Sequence, residues 1–192
     1  MSNNTEEIFQ KSGALLKGHF LLTSGLHSPV YWEKFRVLQF PKYTEQLCRM
    51  IADHFRKQEI QVVAGPTTGG IILAFEVARQ LGTRGIFAEK EGEERAFRRG
   101  FNIDPGERVL IVDDILTTGS SIREVIGAVN KLDGKIIGIG VLVDRSEKAT
   151  DFGVPLFSCH RAVTTTYQPE DCPLCAAKIP LVKPGSSQQP PG

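Results

Sequence analysis

Residues 108–121 read Arg108-Val109-Leu110-Ile111-Val112-Asp113-Asp114-Ile115-Leu116-Thr117-Thr118-Gly119-Ser120-Ser121. The run from Val109 to Val112 is apolar throughout, which is typical of a strand buried on both faces of a parallel sheet. Two adjacent carboxylates follow this run, and then a turn rich in hydroxyl groups. We therefore predict a buried strand whose carboxyl end carries acidic and polar side chains.

Asp113 and Asp114 lie at that carboxyl end, and open α/β sheets bind ligands just outside it. Neighbouring residues of a strand point to opposite faces, so we expect the two acids to have different tasks. One can accept hydrogen bonds from vicinal ribose hydroxyls, and the other can hold a metal-bound water or orient a nearby group. A solvated acidic turn is the alternative, and the sequence that follows argues against it.

A helix is predicted directly after the turn, with apolar residues at helical spacing: Ile122, Val125, Ile126, Val129 and Leu132. Ser121 and Glu124 have the spacing of a capping box, so we expect the helix to begin near Ser120. The helix N-terminus presents unpaired N–H groups to an anion, and Gly119 lets that anion approach the backbone closely. These features predict a phosphate site, and its hydroxyl donors are Thr117, Thr118, Ser120 and Ser121.

A second turn of this kind, Gly65-Pro66-Thr67-Thr68-Gly69-Gly70, separates a predicted strand at 61–64 from a predicted helix at 71–81. Three glycines in six residues make a concave row of N–H groups that suits an anion. A plain strand-to-helix connection is the alternative, and it needs only one glycine. We therefore interpret the turn as a second anion-binding loop.

The remaining sequence alternates predicted strands and helices, which indicates an α/β fold with a doubly wound, mainly parallel sheet. The helices are predicted at 5–16, with Ile8, Phe9, Leu15 and Leu16 inward and Lys17-Gly18 as its end, and at 41–57. The strands are predicted as two short ones within 19–38, then at 86–88, 136–143, 156–158 and 163–167. Residues 1–182 form a single predicted domain, and residues 183–192 a disordered tail.

Length and composition predict one soluble domain, since 192 residues with 41% hydrophobic content suffice for a full core. A net charge of +1 argues against a general nucleic-acid or membrane-surface binder. The polar N-terminus does not resemble a signal peptide, and no apolar run approaches the roughly 20 residues of a membrane span. A cytoplasmic protein is the resulting expectation.

The four cysteines allow a metal site but do not establish one. Cys48 lies in an amphipathic stretch and is predicted to be a small core residue. Cys172-Pro-Leu-Cys175 is half of a zinc-binding pattern, which Cys159 and His160 could complete if the chain folds back. A redox pair is another alternative, and we favour plain structural thiols over both.

The stretch from Val109 to Ser120 resembles the 5-phosphoribosyl-1-pyrophosphate (PRPP) signature of type I phosphoribosyltransferases. That signature is an apolar strand, two acids, two apolar residues, threonine, a small residue, glycine, and serine or threonine. The resemblance implies the type I fold, a central mainly parallel sheet flanked by helices with a small N-terminal hood. It also implies that Thr117–Ser121 bind the 5′-phosphate, Asp113 and Asp114 the ribose, and Thr67–Gly70 the pyrophosphate.

Residues 89–100 carry a run of charges that can form either a solvated hairpin or a mobile lid. Type I enzymes have a lid at this point, so the resemblance favours the lid. Its cations would stabilise departing pyrophosphate and exclude water. The candidates are Lys90, Arg95, Arg98 and Arg99, of which Lys90 and Arg95 are expected to bind PRPP, and Lys90 and Arg99 to act in catalysis beside Asp113 and Asp114.

Two further segments resemble orotate phosphoribosyltransferases. Phe20–Tyr31 fits their hood pattern Phe-x-Leu-x-Ser-Gly-x-x-Ser-Pro-x-Tyr, and Asp144–Glu147 fits their Asp-Arg-x-Glu. The resemblance implies formation of orotidine 5′-monophosphate and pyrophosphate from orotate and PRPP, in pyrimidine biosynthesis. It implies a hood of about 17–40 with part of the C-terminal segment, Mg²⁺ held mainly by PRPP, and a homodimer whose subunits share the lid. The residues expected to bind orotate are Ser24, Gly25, Lys34, Thr117 and Arg145.

The sequence also departs from that family. Thr23 and Gly69 stand where many members have lysine, and Arg95–Gly100 replaces a lid motif with histidine. Lys34 or the lid arginines are expected to supply the missing charge. A purine-type phosphoribosyltransferase is one alternative, although such enzymes lack the hood pattern and the Arg145 segment. A PRPP-binding regulator that reads nucleic acid is the other, and the near-neutral charge argues against it.

Overall fold

The computed structural model describes residues 2–22, 24–146, 149–162 and 165–184. The helices are α1 (Ser2–Lys11), α2 (Lys34–Leu38), α3 (Pro41–Phe55), α4 (Gly69–Leu81), α5 (Ser120–Asn130) and α6 (Pro173–Ala176). The strands are β1 (Leu15–Leu21), β2 (His27–Trp32), β3 (Val62–Pro66), β4 (Arg84–Glu91), β5 (Glu94–Phe97), β6 (Arg108–Leu116), β7 (Lys135–Asp144) and β8 (Leu156–Arg161). Short 3₁₀ turns follow at Arg56–Gln58 and Pro169–Asp171.

A six-stranded sheet in the order β5-β4-β3-β6-β7-β8 forms the centre of the fold. Its strands are parallel except β5, which pairs antiparallel with β4. Strand β6 is central and buried on both faces: Leu110 and Val112 belong to the core beneath α3 and α4, while Val109 and Ile111 belong to the core beneath α5. The predicted α/β fold with a mainly parallel sheet is therefore confirmed.

The N-terminal hood is a separate two-stranded antiparallel sheet of β1 and β2. The C-terminal segment is joined to it through backbone hydrogen bonds, because Val182 pairs with β1 and Tyr167 with His27 of β2. Two short strands were predicted within 19–38; β2 lies within these bounds, whereas β1 begins earlier, at Leu15, and a short helix, α2, follows them. No helix among the described residues is long and apolar enough to cross a membrane.

The predicted first helix is wrong in its bounds. It ends at Lys11, and the chain then turns at Ser12 and Gly13 into strand β1. Leu15 and Leu16 therefore belong to a strand, because hairpin pairing with β2 overrides the helical spacing that they share with Ile8 and Phe9. Of these four apolar residues, Ile8 and Phe9 are buried and the two leucines are partly exposed.

The charged segment at residues 89–100 is not an unstructured insert, because its first part is paired in strands. Residues 84–97 form a β-hairpin in which Glu89 pairs with Ala96 and Lys90 with Arg95. The hairpin alternative is thus correct for this part, since the charged side chains satisfy one another across and beside the two strands. The capping box is also wrong, because Glu124 bonds to Lys90 and Arg95 rather than to the start of α5.

Strand β7 packs closely against α3 at two glycines, Gly138 and Gly140. A Cβ at Gly140 would overlap the side chain of Ile51, and one at Gly138 would overlap Phe55. Both of these α3 side chains are buried. Because these two glycines have no side chains, α3 can pack this close to the sheet.

We expect Gly140→Ala to destabilise the protein by about 1–3 kcal/mol, since an added methyl group overpacks a dense core. Gly127→Ala is the matched control, because a Cβ there meets nothing within 4 Å in the middle of α5. That change should raise stability by roughly 0.5–1 kcal/mol through helix propensity. Urea unfolding measures both, and equal effects of the two changes would contradict the packing argument.

Candidate active site at the carboxyl edge of the sheet

A cavity of about 1190 Å³ lies at the carboxyl ends of β3 and β6 and beneath the hood. The predicted site residues that line it are Ser24, Lys34, Thr67, Thr68, Gly69, Asp113, Asp114, Thr117, Thr118, Ser121 and Arg145. Other predicted residues are described but do not line it: Gly25, Gly70, Lys90, Arg95, Arg98, Arg99, Gly119 and Ser120. Residues of both predicted anion-binding loops thus line one cavity, together with most of the residues predicted to bind orotate.

The two acids are buried side by side, Asp113 at 6% exposure and Asp114 at 2%. The backbone N–H of Asp114 donates to Asp113 Oδ1 at 2.8 Å, and the N–H of Ile115 donates to Asp114 Oδ1 at 2.7 Å. Lys34 Nζ lies 2.9 Å from Asp114 Oδ2. Asp114 therefore has a cationic partner in the hood, whereas Asp113 has its bond from the backbone.

Burial raises the pKa of Asp113 from 3.8 to about 7, and the neighbouring charge of Asp114 adds to this rise. The hydrogen bond from Asp114 N and the charges of Lys34 and Arg95 oppose it. The carboxyl group of Asp113 thus changes its protonation near neutral pH. A ligand with hydroxyl groups or a cation at this point would favour the ionised form.

The glycines of the first anion loop are required by close approach. A Cβ at Gly69 would overlap the carboxylate of Asp114, and one at Gly70 would lie 2.6 Å from Pro66 Cδ. The peptide between Thr67 and Thr68 is cis. A lysine at position 69 has no room in this arrangement, and Lys34 instead brings the positive charge to Asp114.

The second anion loop begins α5. Gly119 is its N-cap residue with φ of +80°, a left-handed conformation that favours glycine. The N-cap residue makes no side-chain cap, and the N–H of Ser120, the first residue of the helix, donates to Thr118 Oγ1 at 3.4 Å. Thr117, Thr118 and Ser121 surround this end and line the cavity. The binding of a phosphate at this turn stays a prediction.

Arg95 connects the hairpin to the first anion loop. Its side chain is 8% exposed; Nε donates to Glu124 Oε2 and Nη1 to Thr67 Oγ1, both at 3.0 Å. The other cations of the segment form exposed ion pairs: Lys90 with Glu124, Arg98 with Glu91, and Arg99 with Glu89. The roles in PRPP binding and catalysis given to Lys90, Arg95 and Arg99 stay predictions.

Arg145 follows β7 and reaches the cavity from the hood side. Its backbone N–H donates to Leu116 O at 2.8 Å, which fixes its position beside the second loop. Its buried Nε has no hydrogen-bond partner among the described residues, and burial lowers the pKa of the guanidinium. A half-buried guanidinium whose buried Nε has an unused donor suits an anionic ligand. Glu147 of the same motif lies outside the described residues, as does Thr23.

Sequence reasoning missed part of the wall. Trp32, Glu33 and Phe35 of the hood line the cavity, and so does Thr166. Lys183 and Pro184 also line it, so the predicted tail does not begin at 183, and residues 185–192 lie outside the described part. A run of aromatic residues after the hood pattern was the available signal for Trp32 and Phe35. Nothing in the sequence placed the C-terminal residues.

We expect a pH-dependent stability that traces to Asp113. Because its pKa is raised on folding, the stabilisation is complete below pH 4 and is lost as the pH rises to about 7. Asp113→Asn removes this titration, so the melting temperature of the variant relative to the unmodified protein should increase from pH 4 to 7 and then level off. Glu93→Gln, at an exposed glutamate in the turn between β4 and β5, is the control and should not reproduce this rise. A flat difference for Asp113→Asn would contradict the raised pKa.

Comparisons with known proteins agree with this geometry. The family model of the phosphoribosyl transferase domain matches residues 36–152. An orotate phosphoribosyltransferase of Pelotomaculum thermopropionicum is 56% identical over 93% of this chain and 94% of its own. One from Thermotoga maritima is 43% identical over 94% of this chain and 97% of its own.

Solved structures show the same relationship. Orotate phosphoribosyltransferase from Aeropyrum pernix aligns with a TM-score of 0.71 and 28% identity, over 81% of this chain and 92% of that one. An adenine phosphoribosyltransferase from Rhodothermus marinus has a TM-score of 0.67 at 21% identity, over 84% of this chain and 100% of that one, and so shares the fold alone. The two anion loops, the paired acids and the near full-length similarity together place the chain in the orotate phosphoribosyltransferase family.

Proposed function

We propose that this protein transfers the phosphoribosyl group of PRPP to orotate, forming orotidine 5′-monophosphate and pyrophosphate in pyrimidine biosynthesis. The observation that carries the proposal is Arg145, a half-buried guanidinium whose buried Nε has an unused donor, in a cavity lined by residues of both strand-to-helix turns. Near full-length similarity to orotate phosphoribosyltransferases supports it.

The loops of the cavity suit the parts of PRPP. The N-terminus of α5 and its hydroxyl groups hold the 5′-phosphate, and the Thr67–Gly70 turn holds the pyrophosphate. Asp113 and Asp114 lie between them, where they accept hydrogen bonds from the ribose hydroxyls. PRPP would enter as its Mg²⁺ complex, and the metal offsets the negative charge of the departing pyrophosphate. Two buried acids beside an anion loop fit such a complex.

The enzyme contributes position and electrostatics rather than covalent chemistry. The anomeric carbon gains positive character as pyrophosphate leaves, and the ring nitrogen of orotate attacks it from the hood side. The guanidinium of Arg145 holds the orotate carboxylate in place, because a planar fork of donors matches a carboxylate. Lys34 of the hood forms an ion pair with Asp114, so its charge lies where orotate and PRPP would meet.

We expect Arg145→Ala to lower kcat/KM for orotate by roughly 100-fold, the cost of removing a charged partner from a buried carboxylate. The KM for PRPP should change little. The loss of orotate absorbance on addition of PRPP and Mg²⁺ measures turnover. Arg49→Ala removes an exposed arginine of α3 as the control. Turnover of adenine or guanine without turnover of orotate would instead establish a purine-type enzyme.

The cations of the β4–β5 hairpin are proposed to serve the pyrophosphate. Lys90 and Arg99 are held by exposed ion pairs, and such pairs are weak enough to exchange for a polyphosphate. Arg95 is fixed more firmly, because its guanidinium donates a hydrogen bond to Thr67 of the turn proposed to bind pyrophosphate. In a homodimer the hairpin of one subunit would act at the site of its neighbour.

A homodimer is proposed on the exposed apolar surface of α4. Phe75 is 69% exposed, and Ile72 lies one turn before it on the same face. Large apolar side chains that are exposed together mark interaction surfaces. A second copy of the chain is the proposed occupant, since a C2 interface places the same patch on both subunits.

Phe75→Glu should shift the protein from dimer to monomer, because it places a charge at the centre of the proposed interface. Light scattering after size-exclusion chromatography measures the mass. Lys42→Glu places the same charge on the exposed surface of α3 and should leave the dimer intact. A monomeric unmodified protein, or a dimer that survives Phe75→Glu, would reject this surface.

A further inference from the structure

Four potential metal ligands converge where the hood pairs with the C-terminal segment. We call them the His–Cys cluster: His19, His27, Cys172 and Cys175. The first three are buried, with His19 at 2% exposure, and none of the four lines the cavity. Their ligand atoms all lie within 4.8 Å of one another.

The separations fit one tetrahedral ion. His19 Nε2 lies 2.9 Å from His27 Nδ1, 3.5 Å from Cys172 Sγ and 3.8 Å from Cys175 Sγ, and His27 Nδ1 lies 3.3 Å from Cys175 Sγ. Around a tetrahedral Zn²⁺ the ligand atoms are about 3.3–3.8 Å apart, given metal–nitrogen and metal–sulfur bonds of about 2.0 and 2.3 Å. These four separations lie within about 0.5 Å of that range and the other two lie within 4.8 Å, so the ligands must shift by up to about 1 Å to hold the ion.

The tautomer of His19 is fixed from outside the cluster. Its Nδ1 lies 2.8 Å from the carbonyl oxygen of Ile179, and a carbonyl can only accept. Nδ1 therefore carries the proton, which leaves the lone pair of Nε2 directed at the other three ligands. Histidines that ligate metals are held in this way by an outer carbonyl or carboxylate.

Backbone pairing brings the two halves of the cluster together. The N–H of Val182 donates to His19 O, and His27 and Tyr167 exchange two backbone hydrogen bonds at 2.9 Å. Cys172 precedes α6 and Cys175 lies within it, so the cysteines are presented by one turn of helix. The ligands are thus positioned by the hood on one side and by the C-terminal segment on the other.

The alternative pairing considered from the sequence does not form among the described residues. Cys159 is buried and donates to Leu47 O, and His160 packs against the rings of Phe9 and Trp32. Two thiols and two imidazoles satisfy one another poorly in a largely buried cluster, because a thiol is a weak donor and a weak acceptor. A metal ion satisfies all four at once.

We propose that the His–Cys cluster binds one structural Zn²⁺ ion that fastens the hood to the C-terminal segment. A tetrahedral set of two sulfurs and two nitrogens suits zinc, and four protein ligands leave no open position for catalysis. A two-stranded sheet such as β1–β2 is marginally stable alone. The ion supplies the missing stability and so maintains the wall of the cavity that the hood and residues 165–184 build.

Metal analysis of the full chain, purified without a histidine tag, tests the proposal. We expect about one zinc ion per chain in the unmodified protein. Cys172→Ser and His27→Asn should each remove it and lower the melting temperature. Cys159→Ala and His160→Gln are the matched controls, and they should retain the zinc because their side chains lie elsewhere.

Cobalt substitution gives a second readout. It uses the unmodified protein, so it does not depend on whether the variants fold. Co²⁺ added to the chelator-treated protein should produce sulfur-to-cobalt charge transfer and the visible bands of a tetrahedral site. Zinc-free protein from zinc-supplemented cells, or a Cys172–Cys175 disulfide in the fresh protein, overturns the proposal. So does zinc that is retained by the Cys172→Ser/Cys175→Ser variant or lost from Cys159→Ala.

Discussion

Two adjacent carboxylates are buried at the end of β6, and the groups around them offset the free-energy cost of that burial. Their charges lie in a low-dielectric environment, where like charges repel strongly and hydration is lost. Backbone N–H groups of the same strand, Lys34 from the hood and the nearby charge of Arg95 offset that cost. The helix α4 can come close enough to enclose the acids only because Gly69 has no side chain.

This constraint explains the departure at position 69. Where many relatives of the resembled family have lysine, this chain has glycine, and the positive charge beside Asp114 comes from Lys34 on a different element. In this chain the positive charge beside Asp114 therefore comes from the hood. The hood is thereby joined electrostatically to the acids, and any movement of the hood changes the environment of both.

The sequence allowed prediction of those parts that local pattern governs. The apolar run of β6, the glycines of both turns and the spacing along α5 predicted a buried strand, a helix and the two turns, because burial and close approach restrict the residue types there. The pairing of Glu124 with Arg95 and the meeting of His19 with Cys172 depend on contacts between distant segments. No local pattern encodes them. A cytoplasmic location and the residue roles stay predictions.

The reach of residues 165–184 across the hood has a consequence for biosynthesis. A nascent chain that has emerged through β8 contains the whole sheet, both loops and the paired acids. It still lacks Thr166, Lys183 and two members of the His–Cys cluster. Domains begin to fold from the N-terminal side during synthesis. The half of the cavity that would hold the sugar phosphate can therefore assemble first, whereas the half beneath the hood is completed only once residues 165–184 have emerged.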